Sequence, residues 1–231
     1  MSWRAVFFGL AAVAIVAALA WALLGSRLLV VRSVQVTGTG PAVSRAEVLR
    51  AAQIPAGLPL IRLNAAAVAR RVELIQQVQS ATVTRDWPST VVISVRPRTP
   101  VFAVAGAGDY ALVDAFGVDL RMSARRPPSL PLLTVGGAGP AGTVAGSLRG
   151  SGAVRAAAQV LRELPPSITH RVQVVTAASA SDVSVRLTGG IVIVWGSPRR
   201  PAQKARELAV LMRTHARYYD VSAPGTAVTR G

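Results

Sequence analysis

The residues equipped for chemistry are few, and their spacing assigns them none. The two histidines, His170 and His215, have no second ligand three or four positions away, the helical spacing that a zinc site uses. Each reads as a surface or helix-end histidine. The chain has no cysteine, which rules out disulfides, thiol catalysis and Cys-ligated zinc. Ten carboxylates are spread along it. Asp109, Asp114 and Asp119 recur every five residues, but they flank turns, where an Asp side chain bonds its own backbone. Paired acids of the glycosidase kind need more than spacing to be recognised, and nothing recommends a pair. No G-x-S-x-G elbow is present, and Gly106-Ala107-Gly108 lacks the third glycine and the helix of a dinucleotide loop. No catalytic, cofactor-binding or metal residue is assigned, and the chain reads as a non-enzyme.

The formal charge of +16 raises nucleic acid as a partner. Of the 26 basic residues, all but Lys204 are arginine, and they are dispersed: Arg45, Arg50, Arg62, Arg85, Arg121, Arg155, Arg186. No stripe interleaves them with aromatic rings as a single-strand platform needs. Arg125-Arg126 and Arg199-Arg200 abut prolines and read as solvated loops. Nucleic acid is therefore not expected; anionic headgroups and acidic wall polymers suit this charge better.

If no side chains do chemistry, the elements that place the chain matter more. Ala5 to Leu24 holds no charge and no proline over 20 residues. As a helix it reaches about 30 Å, the thickness of a bilayer core, and only a helix satisfies its own backbone there. Trp3 and Trp21 sit where interfacial rings belong. Ala18-Leu19-Ala20 offers a signal-peptide reading, but the apolar run exceeds an h-region and continues past the cut. A buried core helix of this length without a polar residue is unusual. The expectation is a single-pass anchor, with residues 1–4 in the cytoplasm and the body outside. About 205 residues remain, enough for two small domains. The anchor's Ala11, Ala14, Ala18 and Ala22 form a face that permits close helix contact.

After the anchor, Leu28 to Thr37 reads as a half-buried strand closed by Gly38. Ser44-Arg45-Ala46-Glu47 is a capping box opening a helix to about Gln53. Asn64 caps a second helix to about Ile75, with Val68, Val72 and Ile75 on one face. Val78 to Asp86 and Thr90 to Arg96 form a hairpin around Trp87-Pro88-Ser89, read as turn packing. Beyond Pro100 come strands at Val101–Val104, Tyr110–Asp114 and Val118–Met122, a Pro-rich excursion at Arg125–Pro131, and a Gly-rich stretch from Gly136 to Gly152 read as a loop. Ser151 caps a helix to Leu164. Strands Val172–Thr176, Val183–Leu187 and Ile191–Trp195 follow, the last two joined at Gly189-Gly190. Pro201 begins a helix to about His215, and a last strand runs from Tyr219 to about Ala223.

Several of these segments resemble a known family. V-x-V-x-G at Val34 to Gly38, the Gly57-Leu58-Pro59-Leu60 loop and A-T-V-T-R-x-W-P from Ala81 to Pro88 are similar to a POTRA domain of the FtsQ/DivIB cell-division proteins. L-V-D-x-x-G-V from Leu112 to Val118, W-G-S-P-x(5)-K from Trp195, and Y-D-V-S-x-P from Tyr219 resemble that family's C-terminal region. The implied fold is α+β: an N-terminal membrane helix (5–24), a small β-α-α-β-β POTRA domain (28–99), and a mixed or antiparallel β domain with flanking helices (100–231). The implied role is a non-catalytic bitopic scaffold of the divisome, in the plasma membrane at the septum, regulating septal peptidoglycan synthesis.

The last strand, as the final element, is expected at a sheet edge with backbone groups free to take another chain's strand; the plainer alternative is that Val221 plugs the core and the tail frays. The resemblance implies that a small bitopic coiled-coil protein of the FtsB/DivIC type, itself paired with FtsL, adds its strand there. The matching residues are Tyr219, Asp220, Val221, Ser222, Ala223, Gly225, Ala227 and Val228. Septal wall synthases are a further class of partner. A second edge is expected at Thr90 to Val95, with Thr90, Val92 and Ser94 as candidates. The competing function is a POTRA-bearing chaperone or translocation factor, but one POTRA unit and no lipid-facing alternation of barrel strands are visible.

Overall fold

The computed structural model describes residues 3–25, 29–136 and 148–230, and the chain divides into two units, Met1–Arg98 and Thr99–Gly231. The first begins with helix α1 (Trp3–Gly25). Its large side chains from Val6 to Val16 are exposed, Phe8 to 70%. Among the described residues no helix is long and apolar enough to cross a membrane. The side chains described in α1 form a run, Val6 to Ala18, shorter than the roughly 20 residues of a span.

The remainder of this unit is a three-stranded sheet with two helices on one face. Strand β1 (Ser33–Thr37) is shorter than the expected Leu28–Thr37. Helix α2 (Arg45–Ala52) starts where Ser44 Oγ accepts from the Glu47 amide at 3.2 Å, and it stops at Gln53 in the left-handed region. Helix α3 (Ala65–Glu73) starts where Asn64 Oδ1 accepts from the Ala67 amide at 2.9 Å. Strands β2 (Val78–Asp86) and β3 (Thr90–Pro97) form the hairpin. Val91, Ile93 and Val95 of β3 point into a core with Val48, Val68 and Val72 of the helices. Gly38 ends β1 at φ +76°, and a Cβ there would run into the Val95 carbonyl oxygen, so the V-x-V-x-G motif ends in the residue that geometry demands. Trp87, in the turn between β2 and β3, is half exposed beside a cis Trp87-Pro88 bond.

The strand order is β1-β3-β2, which overturns the expected edge at Thr90–Val95. Strand β3 lies in the middle, parallel to β1 (Ser33↔Thr90, Thr37↔Ser94) and antiparallel to β2. The Thr90 hydroxyl pairs with that of Ser33 at 2.9 Å, and Ser94 Oγ accepts from Thr37 Oγ1 at 3.1 Å. Val92 faces away from the core between them. A hairpin that closes the first unit suggests an edge; a parallel partner from 57 residues earlier removes it.

The second unit is a nine-stranded mixed sheet. In chain order it contains β4 (Phe102–Ala105), β5 (Tyr110–Val113), β6 (Asp119–Ser123), β7 (Leu132–Val135), helix α4 (Gly152–Glu163), one turn of helix α5 (Pro166–Thr169), β8 (Val172–Ser179), β9 (Asp182–Leu187), β10 (Val192–Val194), helix α6 (Pro201–Leu211), β11 (Tyr218–Asp220) and β12 (Val228–Arg230). The order across the sheet is β12-β11-β10-β9-β8-β7-β4-β5-β6. Strand β7, which the Pro-rich reading passed over, pairs parallel with both β4 and β8 and joins the two halves. Most of the Gly-rich stretch lies outside the described residues. Ser151 precedes α4 but makes no side-chain cap bond. One apolar cluster combines Val154, Ala157, Ala158 and Val160 of α4, Leu208 of α6, and the inward residues of β8 to β11, with Trp195 fully buried.

Asp114 sits in the turn between β5 and β6, buried, with Oδ1 accepting from the amides of Phe116 (2.8 Å) and Val118 (2.9 Å). Replacing it with alanine leaves two shielded amides without that acceptor. D114A is expected to lower stability by about 2–4 kcal/mol. Urea unfolding checks it: the transition of residues 99–231 moves down in midpoint, while that of the first unit stays where it is.

Candidate functional site

The terminal segment forms two strands where the sequence suggested one. Strand β11 pairs parallel with β10 (Ile193↔Tyr219, Val194↔Asp220) and antiparallel with β12 (Tyr219↔Thr229, Asp220↔Val228). The expected strand at Tyr219–Ala223 is therefore enclosed on both sides at Tyr219 and Asp220, and the edge among the described residues belongs to β12. Tyr219 (1% exposed) and Val221 are core side chains, so they support the edge from beneath. Val221 does plug the core, but the residues after it turn back and pair. Ser222, Ala223, Gly225 and Ala227 form the connection. Gly225 takes φ +89° and the Thr226 amide donates to the Ala223 carbonyl at 3.2 Å. Val228 begins β12, half exposed. Thr229 and Arg230, which three residues of alternation could not reveal, complete it. The Arg230 guanidinium lies 5.7 Å from the Tyr218 ring centroid.

Beneath this edge lies Lys204, the single lysine of the chain and fully buried. Its Nζ donates to the carbonyls of Trp195 (2.7 Å) and Ser197 (2.8 Å) and stands 6.0 Å from the Trp195 ring centroid. Burial lowers its pKa from the ordinary 10.5, and the carboxylates of Asp220 and Glu207 pull it back up. Glu207, one helical turn on, accepts through Oε1 from the Gly225 amide (3.1 Å) and from Gln203 Nε2 (3.0 Å). Asp220 Oδ1 accepts from the Ser222 amide at 2.9 Å. Gly196 at φ +68° lets the Trp195–Ser197 loop approach this segment: a Cβ there would stand 2.7 Å from the Ser222 Cβ. The lysine was visible in the W-G-S-P-x(5)-K motif; its burial against a residue nine positions earlier was not.

A groove of about 310 Å³ runs along the outer side of α6, lined by Arg206, Glu207, Val210, Leu211 and Ala227. Val210 on its lining is 62% exposed, and Val228, the residue after Ala227 and the first of β12, is 51% exposed. Among the described residues no group of three or more His, Cys, Asp or Glu could hold a metal ion. His170 and His215 are exposed and meet local carbonyls, of Pro166 and Arg213, at 2.9 Å each. The arrangement offers backbone and apolar contacts, with no collected acids or nucleophiles.

A small three-stranded α+β unit followed by a nine-stranded mixed sheet sets the class of the fold, and known sequences narrow it to one family. Residues 29–98 match the POTRA domain, FtsQ-type, and residues 103–223 match the C-terminal domain of cell division protein FtsQ/DivIB. The chain is 38% identical over 197 residues to cell division protein FtsQ of Mycobacteroides abscessus, covering 85% of this chain and 60% of that protein. For the FtsQ of Mycobacterium leprae the identity is 38% over 194 residues, 84% of this chain and 54% of the relative. For that of Streptomyces collinus it is 34% over 218 residues, 92% and 82%. The chain belongs to the FtsQ/DivIB family of cell division proteins.

The lowered pKa of Lys204 has a signed consequence. Between its folded value and 10.5 the unfolded chain holds more protons than the folded one, so this residue's contribution to stability rises with pH in that window. K204M removes the titration and leaves two buried carbonyls unmet, at a cost of about 2–4 kcal/mol at neutral pH. Denaturant midpoints of both proteins, followed upward toward pH 10.5, should show the gap widening; a narrowing gap contradicts the assignment.

Proposed function

We propose that this protein is a non-catalytic bitopic scaffold of the division complex, which captures a small coiled-coil partner by strand addition at β12 and thereby regulates septal peptidoglycan synthesis. The single observation that carries the reading is the position of β12: one side pairs with β11, and the other has no strand beside it among the described residues. An edge strand carries unpaired N–H and C=O groups that accept an incoming strand, and Val210, Leu211 and Ala227 of the groove, together with the exposed Val228 of β12, supply apolar side chains for it. The resemblance to FtsQ/DivIB proteins suggests FtsB/DivIC-type and FtsL-type chains as the partners, and septal wall synthases as clients. Backbone pairing is tolerant of side-chain identity, so Ala223, Gly225 and Ala227 serve by shaping the turn and Val228 by direct contact.

Anchoring belongs to the same proposal. Helix α1 is 23 residues long, about 35 Å at 1.5 Å per residue. The sequence from Ala5 to Leu24 carries no charge, and phenylalanine, leucine, isoleucine and valine side chains stand exposed along its described part. Such a helix suits hydrocarbon better than water. Residues before the helix then lie in the cytoplasm, and the remainder of the first unit and the whole of the second lie outside, where a bitopic partner's outer segment meets them.

Proline tests the edge, because it removes a backbone N–H and alternate amides of a strand point to opposite sides. Of V228P and T229P, one takes away an outward-facing donor of β12. The expected result is at least a tenfold loss of co-purified FtsB/DivIC-type partner from detergent-solubilised membranes in one of the two, with both units unfolding at the wild-type midpoint. Full capture by both variants contradicts strand addition here.

A further inference from the structure

Strand β12 has three residues and pairs only with the three of β11, a ladder too short to hold itself in place. Something must fix the connection that carries it. Val221 is held by its amide's bond to the Val194 carbonyl at 2.9 Å and by burial. Ser222 bonds back to Asp220, and Thr226 bonds to Ala223 within the turn itself. Beyond Ser222, among the described residues, the hydrogen bond from outside the connection is the one that the Gly225 amide donates to Glu207 Oε1 across 18 positions of sequence. Glu207 is itself aimed: Gln203 Nε2 donates to the same oxygen, and Oε2 is shielded from solvent with no hydrogen-bond partner. A shielded carboxylate oxygen without a donor is costly to maintain. The buried ammonium of Lys204, one turn earlier on α6 and held by the Trp195 and Ser197 carbonyls, attracts this carboxylate without an ion-pair contact.

We propose that Glu207 is the positioning residue for partner capture: its bond to Gly225 holds the connection against α6, so that β12 stands as a preformed edge before any strand arrives. This rests on the strand-addition reading above. Glu207 lines the groove beside Val210, Leu211 and Ala227, so the residue that fixes the turn also floors the surface on which an incoming segment lies. The energetic logic is that of a binding-competent fraction. A partner that pairs only with the ordered edge binds more weakly by the factor by which that edge is depopulated. Gln keeps the carbonyl oxygen that accepts from Gly225 and loses the charge; Ala loses both.

The test compares E207A and E207Q in the full chain, by amide hydrogen exchange over 218–230 against 172–187 of the sheet centre, and by capture of the epitope-tagged coiled-coil partner from membranes. In E207A, exchange over 218–230 should accelerate about tenfold with 172–187 unchanged, and capture should weaken by a similar factor. E207Q should match wild type in both. Unchanged exchange over 218–230 in E207A overturns the proposal and leaves strand addition standing. Equal acceleration in E207Q overturns the acceptor role, and acceleration that spreads to 172–187 shows a residue serving the whole domain. Faster exchange confined to 218–230 with undiminished capture overturns the proposal together with the strand-addition reading.

Discussion

The ammonium of Lys204, tied to the carbonyls of Trp195 and Ser197 below the last strands, is the interaction that the end of the C-terminal sheet depends on. In this arginine-rich chain it is the single lysine, and it is buried. A guanidinium is planar and larger, and its fork suits carboxylates better than two carbonyls met by a point charge. Lys204 ties helix α6 to the loop after β10, and Glu207, one turn on, ties the same helix to the β11–β12 connection. The Gly196 approach to Ser222 and the Glu207 bond to Gly225 then follow from one local arrangement.

The rest of the C-terminal unit can be understood as the support for that end. Parallel β7 fuses the β4-β5-β6 meander to the β8-to-β12 side, and α4 covers the apolar face that results. The outermost strands, β6 and β12, are the edges among the described residues, and apolar side chains stand exposed on both, Met122 on β6 and Val228 on β12. Beside β12, a groove along α6 is lined in part by Ala227, the residue before Val228. The POTRA unit buries its own middle strand and keeps its outward hydroxyls paired, so its exposed strands are β1 and β2 and not the one the hairpin suggested.

What was legible in the residues was mostly local. The caps at Ser44 and Asn64, the Gly189-Gly190 hairpin with both residues at positive φ, and the glycine closing V-x-V-x-G are written in short-range chemistry, and the structure has them. What was illegible depends on pairing over distance. The place of β3 is set by β1, and that of β11 by a three-residue strand that no periodicity can announce. Strand β7 is four residues between a Pro-rich and a Gly-rich stretch, with Leu133 and Thr134 both buried, so it lacks the alternation that marks a half-exposed strand. Of the candidate site residues, Tyr219 and Val221 were rightly grouped with the terminal segment but face the core, and Lys204 and Glu207 act through bonds spanning 9 and 18 positions.

The central claim is that the free side of β12 receives a partner's strand. Site-specific photo-crosslinking in dividing cells tests it most directly, with the reactive side chain placed at Val228 on β12 or, for comparison, at Met122 on β6 at the opposite end of the sheet. The account predicts a covalent adduct with an FtsB/DivIC-type protein from position 228 and none from 122. Adducts from 122 alone, or equally from both, would contradict it.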